Sequence, residues 1–477
     1  MLLALSALLL ACDPKPGADD SGSLDGGAPD GGALDGGTLD GGTDDTGTPT
    51  SPVRALQVTV DPDVATVLRV SFELDVDAGR FWVEWTDADG ALRATPARDG
   101  AFGPQAQVVL GPTAELATAV VVAVEDPDGL VTRSEAVAVT TGALPSAALQ
   151  PTATVWDPLR TSGAEWILGS VEINSTGYYW GPFWLFVADR QGRIVWYHAV
   201  DADSWTLFPR IARGGGHVVF EHAKVLAFGE EQTPLIERRT LSGDQVSQVP
   251  ADMLGFTFEE LPDGSVLFDD YSDWPQVLLT EQAPDGSERA IWDCMAWMGD
   301  ACQSDFCCSV NAIAWREETD TVLWSMWESD AVVEVDRQTG AVLRHFGALD
   351  GAWAFDPPEA GFDKQHWPSW TPEGTLLVST HTLDGLEHRF REYALDEEAM
   401  TLRQVWEYGE GVDLFPIHHG EAVRLEGGNT LLNYGTDGVV RELDPDGQVA
   451  WELAWDQPYM LGHNELIEDL YALDAGW

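Results

Sequence analysis

One recurring phrase constrains the fold more than any other feature of this chain. Leu425-Glu-Gly-Gly-Asn-Thr-Leu-Leu432 is a polar glycine turn that opens into an apolar strand. The same plan appears at Leu261-Pro-Asp-Gly-Ser-Val-Leu-Phe268 and at Thr371-Pro-Glu-Gly-Thr-Leu-Leu-Val378, with looser copies over 213–220 and 318–324. Aligned on the turn residue, the copies fall at Gly216, Gly264, Asp320, Gly374 and Gly428, spaced 48, 56, 54 and 54 residues apart. A period near fifty built from short strands implies one four-stranded sheet per repeat, which is the signature of a β-propeller.

A second phrase interleaves with the first. Asp189-Arg-Gln-Gly192, Asp285-Gly286, Asp336-Arg-Gln-Thr-Gly340 and Asp444-Pro-Asp-Gly447 each place Asp and Gly before a new apolar run, and Leu241-Ser-Gly243 and Leu395-Asp-Glu-Glu398 are weaker versions. Each reads as a tight turn between outer strands. Together the two phrases predict six blades over residues 151–477.

Residues 53–143 carry a different pattern. Alternation runs through Leu56–Val60, Leu68–Phe72, Phe81–Trp85 and Ala119–Val124, separated by turns such as Asp87-Ala-Asp-Gly90 and Asp126-Pro-Asp-Gly129. Short strands at that spacing predict an immunoglobulin- or fibronectin-III-like β-sandwich, with Trp82 or Trp85 as its core aromatic. The expected fold class is therefore all-β, a sandwich followed by a propeller, joined by a linker over 143–151.

The N-terminus, Met1-Leu-Leu-Ala-Leu-Ser-Ala-Leu-Leu-Leu-Ala-Cys12, is too short to span a bilayer and suits a signal-peptide core over 1–11. Leu9-Leu-Ala-Cys12 resembles the lipobox of bacterial lipoproteins, which implies acylation at Cys12. No Lys or Arg precedes the apolar run. Residues 12–52 repeat Asp-Gly-Gly, a composition that predicts a flexible tether extended by self-repulsion. The implied location is the bacterial cell envelope, lipid-anchored, facing the periplasm or the outer surface.

Charge narrows the partners. With 25 Lys and Arg against 80 Asp and Glu, the formal charge is −55. Such a chain repels nucleic acid. The plain reading of the acidity is a solvated surface, and no EF-hand spacing supports calcium. The cluster Cys294, Cys302, Cys307 and Cys308 reads as disulfides in an exported chain, with three pairings open and the one that joins Cys307 to Cys308 disfavoured by strain. Zinc is the alternative, weakened by the lack of a CxxC pair.

In a propeller the first strand of each blade lines the central channel, so residues just upstream of the repeated phrase matter most. His366 lies eight residues before Gly374, and His419 nine before Gly428. Phe256, Ser309 and Asn311 occupy comparable places in two other blades. His381, His388, Arg389 and Arg391 come from the blade of His366, and His418 adjoins His419. Trp327, Trp367 and Trp370 are candidates to stack on an aromatic ligand, with blade packing as the plainer reading. For Arg389 and Arg391 the plainer reading is pairing with local Glu.

Residues 155–477 resemble the bacterial arylsulfotransferases, six-bladed propellers that move sulfuryl groups between phenols. The resemblance is carried by Gln365-His366, Thr371-Pro-Glu-Gly-Thr-Leu-Leu377 and Glu387-His-Arg-Phe-Arg-Glu-Tyr393, and by the closing blade, Leu425–Leu432 with Glu442-Leu-Asp444 and Trp451. It implies that an imidazole, here His366, takes the sulfuryl group from an aryl sulfate and hands it to a phenol, without metal or other cofactor. Asn311, His419 and Arg389 would assist, and Trp327, Trp367 and His418 would contact the ligand. Where the family has channel histidines and an arginine, this chain has Phe256, Ser309 and Trp327. Two other readings stand beside it. One is a non-catalytic propeller that binds a small aromatic molecule, glycan or protein at the cell surface. The other is a hydrolase or lyase that uses the Asp-rich loops.

Overall fold

The computed structural model describes residues 51–174, 181–200, 204–223, 234–251, 253–272 and 274–474. The leader over 1–11, Cys12 and all but the last two residues of the tether lie outside these. Among the described residues the only α-helix is Cys294–Met298, and no helix is long and apolar enough to cross a membrane.

The fold is all-β and propeller-like, a reading that rests on strand pairing. Sheet one is Arg210–Ile211, Val218–His222, Leu235–Arg239 and Gln245–Pro250, an antiparallel meander in chain order. Sheet two (Leu254–Glu260 through Glu288–Asp293) and sheet three (Val310–Arg316 through Val342–Gly347) repeat the plan. Sheet four runs from Asp363–Trp370 through Leu376–His381 and His388–Asp396 to Thr401–Tyr408, with Ala354–Asp356 added parallel at its edge. Sheet five runs from Gly420–Arg424 to Val449–Ala454 and takes Thr152–Trp156 as its outermost strand. In sheet six the C-terminal strand Met460–Ile467 pairs with Trp166–Glu172, followed by Phe183–Asp189 and Ile194–Ala199. The two ends of this region are thus stitched into separate sheets, each paired with strands far away in sequence.

The repeated phrase forms the first hairpin of sheets one to five. Gly216, Gly264, Asp320, Gly374 and Gly428 have φ of 81°, 82°, 52°, 77° and 95°. Glycine enters that left-handed region without steric cost, whereas Asp320 bears one. It is compensated locally: the Asp320 carboxylate accepts Trp315 Nε1 at 3.0 Å, Arg337 Nε at 2.6 Å and Gln338 Nε2 at 2.7 Å. Asp320→Gly should therefore destabilise the chain by about 1–2 kcal/mol, since the lost hydrogen bonds outweigh the relieved backbone. A urea midpoint equal to or above that of the wild type would overturn this accounting. The second phrase occupies the turns between third and fourth strands, as at Gly192, Gly286, Gly340 and Gly447.

Residues 53–140 form two further antiparallel sheets, one of Val53–Val60, Leu68–Leu74 and Gly103–Val109, the other built around Arg80–Thr86 and Ala117–Glu125. Leu68–Leu74 alternates strictly between buried and exposed residues. Leu68, Val70, Phe72 and Leu74 meet Phe81, Val83, Trp85, Val120, Val122 and Val124 in a core of their own. Each such side chain contributes roughly 1.5–3 kcal/mol by leaving water. Trp85 is the core indole, and Trp82 is only half-buried. These sheets are tied to the ring by Thr66 Oγ1 donating to the Val195 carbonyl at 2.7 Å and by Tyr471 Oη accepting Leu110 N–H at 3.0 Å.

The cysteines pair as Cys294–Cys308 and Cys302–Cys307. They close the segment between the outer strand of sheet two and the inner strand of sheet three.

Candidate functional site

The inner strand of sheet four, Asp363–Trp370, is the most irregular wall of the ring. Its pairing with Leu376–His381 slips on both sides of His366, which itself faces Ser379. Lys364 and Trp367 have φ of 50° and 46°, and His419, at the approach to the inner strand of sheet five, has 64°. Such bulges and left-handed non-glycine residues re-aim side chains and are maintained only where surrounding contacts over-determine them.

Those contacts centre on Gln365. Its amide is fully buried and donates to Ser325 Oγ at 3.1 Å and to the Met326 and Ala331 carbonyls at 2.9 and 3.0 Å. Asn311, from the inner strand of sheet three, donates its Nδ2 to the Gln365 carbonyl at 2.7 Å. Sheet three thereby holds the peptide that carries His366 from both directions.

The result is a cluster of imidazoles. The rings of His366 and His419 have centroids 5.5 Å apart, those of His418 and His419 6.2 Å, and Trp327 lies 6.4 Å from His418. Among the described residues no group hydrogen-bonds the His366 imidazole, and the buried Asn311 Oδ1 and Trp327 Nε1 have no partner either. Burial, then the neighbouring imidazoles of His419 and His418, hold His366 well below the ordinary histidine range. Burial and His418 bring His419 down to about 3. Both rings are neutral at pH 7, so the His366 ring offers a lone pair.

His366, Asn311, His419, His418 and Trp327 are thus brought together. Trp367 borders the cluster: it stacks with Phe208 at 5.1 Å, and the Phe208 ring meets His419 edge-on at 6.3 Å. Arg389 is engaged elsewhere. Its guanidinium pairs with Glu387 and Glu407 and donates to the Gly409 carbonyl at 2.7 Å, because the third strand of the sheet directs it to the fourth strand instead of the inner wall. Arg391 pairs likewise with Glu407 at 2.6 Å. His388 bonds Ser379 Oγ at 2.8 Å, and His381 bonds the Pro416 carbonyl at 3.0 Å. Phe256 packs edge-on against Trp205 at 5.1 Å, and the Ser309 carbonyl accepts Trp327 N–H at 3.2 Å.

Several residues of this wall carry no signal in the repeats. His463 stacks on Trp367 at 4.5 Å and lies between Glu421 at 2.7 Å and Glu465 at 2.9 Å. Burial opposes its charge, but the two carboxylates outweigh it and raise the group to about 9, which keeps an imidazolium at neutral pH. Arg210 lies 5.1 Å over the Trp367 ring and pairs with Glu259 at 3.1 Å. With Arg213, Glu260 and Glu465 these line a small cavity of about 210 Å³. His463 is missed because the inner strand of sheet six is C-terminal while its neighbour lies almost three hundred residues earlier. No hairpin phrase marks the strand.

Buried carboxylates of the second strands hold the backbone that enters the inner wall. Asp269 accepts Phe256 and Thr257 N–H at 2.8 Å each. Glu221 accepts the Leu207 N–H and Phe208 N–H. Burial, opposed by those bonds, raises Glu221 to about 7. Its unfolded value is about 4.5, so the folded state binds the extra proton. The associated stability is full below pH about 4.5 and is lost as pH rises through about 7. Glu221→Gln should remove this dependence. Urea midpoints of wild type and variant followed from pH 5 to 8 test it, and parallel curves would sink the assignment.

Among the described residues no three His, Cys, Asp or Glu side chains are grouped to hold a metal ion. No protein-family model and no curated protein matches the sequence. Solved structures do show likeness. A catalytically inactive variant of virginiamycin B lyase from Staphylococcus aureus, with quinupristin, is 11% identical over 63% of this chain and 87% of its own, with a TM-score of 0.37. A protein from Lactobacillus plantarum is 9% identical over 80% and 98%, TM-score 0.39. Hsv2 from Kluyveromyces lactis is 10% identical over 88% and 100%, TM-score 0.32. Likeness at this level carries no argument about activity.

Proposed function

We propose that this chain is an arylsulfotransferase-like protein of the bacterial cell envelope, lipid-anchored through Cys12. Its catalytic part is a six-bladed propeller preceded by an immunoglobulin-like sandwich. His366 takes a sulfuryl group from an aryl sulfate and passes it to a phenol. The observation that carries this reading is the His366 imidazole: neutral, free of hydrogen bonds to described residues, and beside His419, with His418 and Trp327 next in the cluster. A ring nitrogen attacks sulfur, the sulfur–oxygen bond breaks, and the phenolate departs. The oxygen of a second phenol then attacks sulfur and loses its proton, the nitrogen–sulfur bond breaks, and the imidazole is restored. The Trp327 indole N–H is a donor available to the sulfuryl oxygens in a desolvated setting.

A non-catalytic propeller that binds a small aromatic molecule in the same place is the second reading. One observation favours it: Arg210, Arg213, Arg389 and Arg391 are all paired with Glu, which leaves none of these guanidiniums for sulfuryl oxygens. Brief exposure to 4-nitrophenyl sulfate without acceptor, followed by peptide mass spectrometry at neutral pH, separates the two. One added sulfuryl group on the peptide containing His366 is expected for transfer. An unmodified peptide, with nitrophenol unreleased, overturns it in favour of binding.

A further inference from the structure

A cleft of about 690 Å³ opens where residues 85–113 face residues 156–193 and 469–471, and the imidazole cluster contributes nothing to it. We propose that this cleft binds a neutral oligosaccharide.

The charges in the cleft argue for a neutral occupant. Arg193 reaches Asp89 with both terminal nitrogens, at 2.9 and 2.8 Å, and its Nε reaches Asp189 at 2.6 Å. Arg93 bonds Asp87 at 2.8 Å and Glu165 at 3.0 Å. Arg190 pairs with Glu442 at 2.8 Å. Asp469 is used by its own turn, where it accepts Tyr471 N–H at 2.9 Å. Every arginine of the cleft is therefore already paired, and with three arginines against five carboxylates the cleft keeps a negative excess. An anion would meet carboxylates whose arginines are taken, whereas hydroxyl groups can donate to those carboxylate oxygens without breaking a pair. What remains is a dense set of oxygen and nitrogen valences suited to hydroxyl groups.

The apolar part of the wall suits the faces of sugar rings. Trp156 is 46% exposed and Trp166 half-buried, and both border the cleft. Trp85 closes it from the opposite side, and among the described residues its buried Nε1 has no partner. Flat indoles combined with planar, pre-oriented carboxylate and guanidinium groups present both halves of an amphipathic ring's surface. Asp89–Arg193 and Arg93–Glu165 run between the N-terminal sheets and the ring, so the walls are fixed before any ligand arrives.

Calorimetric titration of the full chain with maltohexaose, cellohexaose and chitohexaose tests the proposal. One or more of the three should bind at one per chain. Trp156→Ala should weaken that binding about tenfold, the loss of one stacking contact. Gly163→Trp should abolish it: Gly163 borders the cleft, has ordinary φ and has open space where a Cβ would stand, so the indole fills the cleft without disturbing the fold. His366→Ala should bind the sugar as the wild type does. Absence of binding by all three sugars at millimolar concentration overturns the proposal, as does undiminished binding by Gly163→Trp. Gly163→Trp decides the matter alone if Trp156→Ala fails to fold.

Discussion

On the proposed function, replacing His366 with alanine should lower sulfuryl transfer from 4-nitrophenyl sulfate to phenol by at least about a thousandfold, because it removes the proposed carrier of the group between donor and acceptor. Folding should persist, since the imidazole makes no hydrogen bond to a described residue and the strand is held through Gln365 and Asn311. Unchanged circular dichroism with lost turnover is the expected pairing. Retained turnover would reject His366 as the carrier. The acid limb of the wild-type rate profile gives a second readout. Burial and the adjacent imidazoles keep His366 deprotonated well below the ordinary histidine range, so kcat should stay flat as pH falls through 6.5. A rate that halves there would mean an ordinary, solvated histidine. His419→Ala should have a smaller effect, because His419 is a neighbour of the proposed carrier and not the carrier itself.

The second large effect concerns closure of the ring. Trp451 is fully buried in the fourth strand of sheet five. Its Nε1 donates to the Arg190 carbonyl at 2.7 Å, and the Arg190 guanidinium lies 4.6 Å from the ring centroid. Arg190 follows the third strand of sheet six, so this one indole joins the sheets that take up Thr152–Trp156 and Met460–Ile467. Trp451→Ala should cost about 3–5 kcal/mol, from lost burial and the cavity left behind. Trp451→Phe, which keeps most of the packing but drops the N–H, should cost much less, about 1 kcal/mol beyond the volume change. Urea melts of both variants measure the difference. A loss under about 1 kcal/mol for the alanine would show that closure does not depend on this contact.

Much of the fold is legible before any coordinates. Turns reveal themselves because left-handed backbone selects a few residue types, and the five aligned positions, including the non-glycine Asp320, all take positive φ. Strands reveal themselves because each buries one face against a neighbour, as Leu68–Leu74 does. The two pairings Cys294–Cys308 and Cys302–Cys307 are among those open to the chain, but spacing does not choose between the alternatives. The site is legible only where it travels with the repeat: His366 and His419 are found by counting back from Gly374 and Gly428. Arg389 looks equally available in the sequence, and its position three strands into the sheet assigns it to Glu387 and Glu407 instead.

Local chemistry, then, determined what is periodic: the hairpins, the number of residues in each unit and the places where inner strands begin. Those depend on backbone sterics and burial over a few neighbouring residues, which the order of amino acids encodes directly. Tertiary structure decided what depends on distant partners. It tied Gln365 to sheet three, stacked His463 on Trp367 between Glu421 and Glu465, left the His366 ring without a hydrogen bond to a described residue, and opened a cleft of paired arginines against Trp85, Trp156 and Trp166. Protonation and ligand preference follow from desolvation and from which charges meet, and the chain brings those charges together only when strands distant in sequence pair.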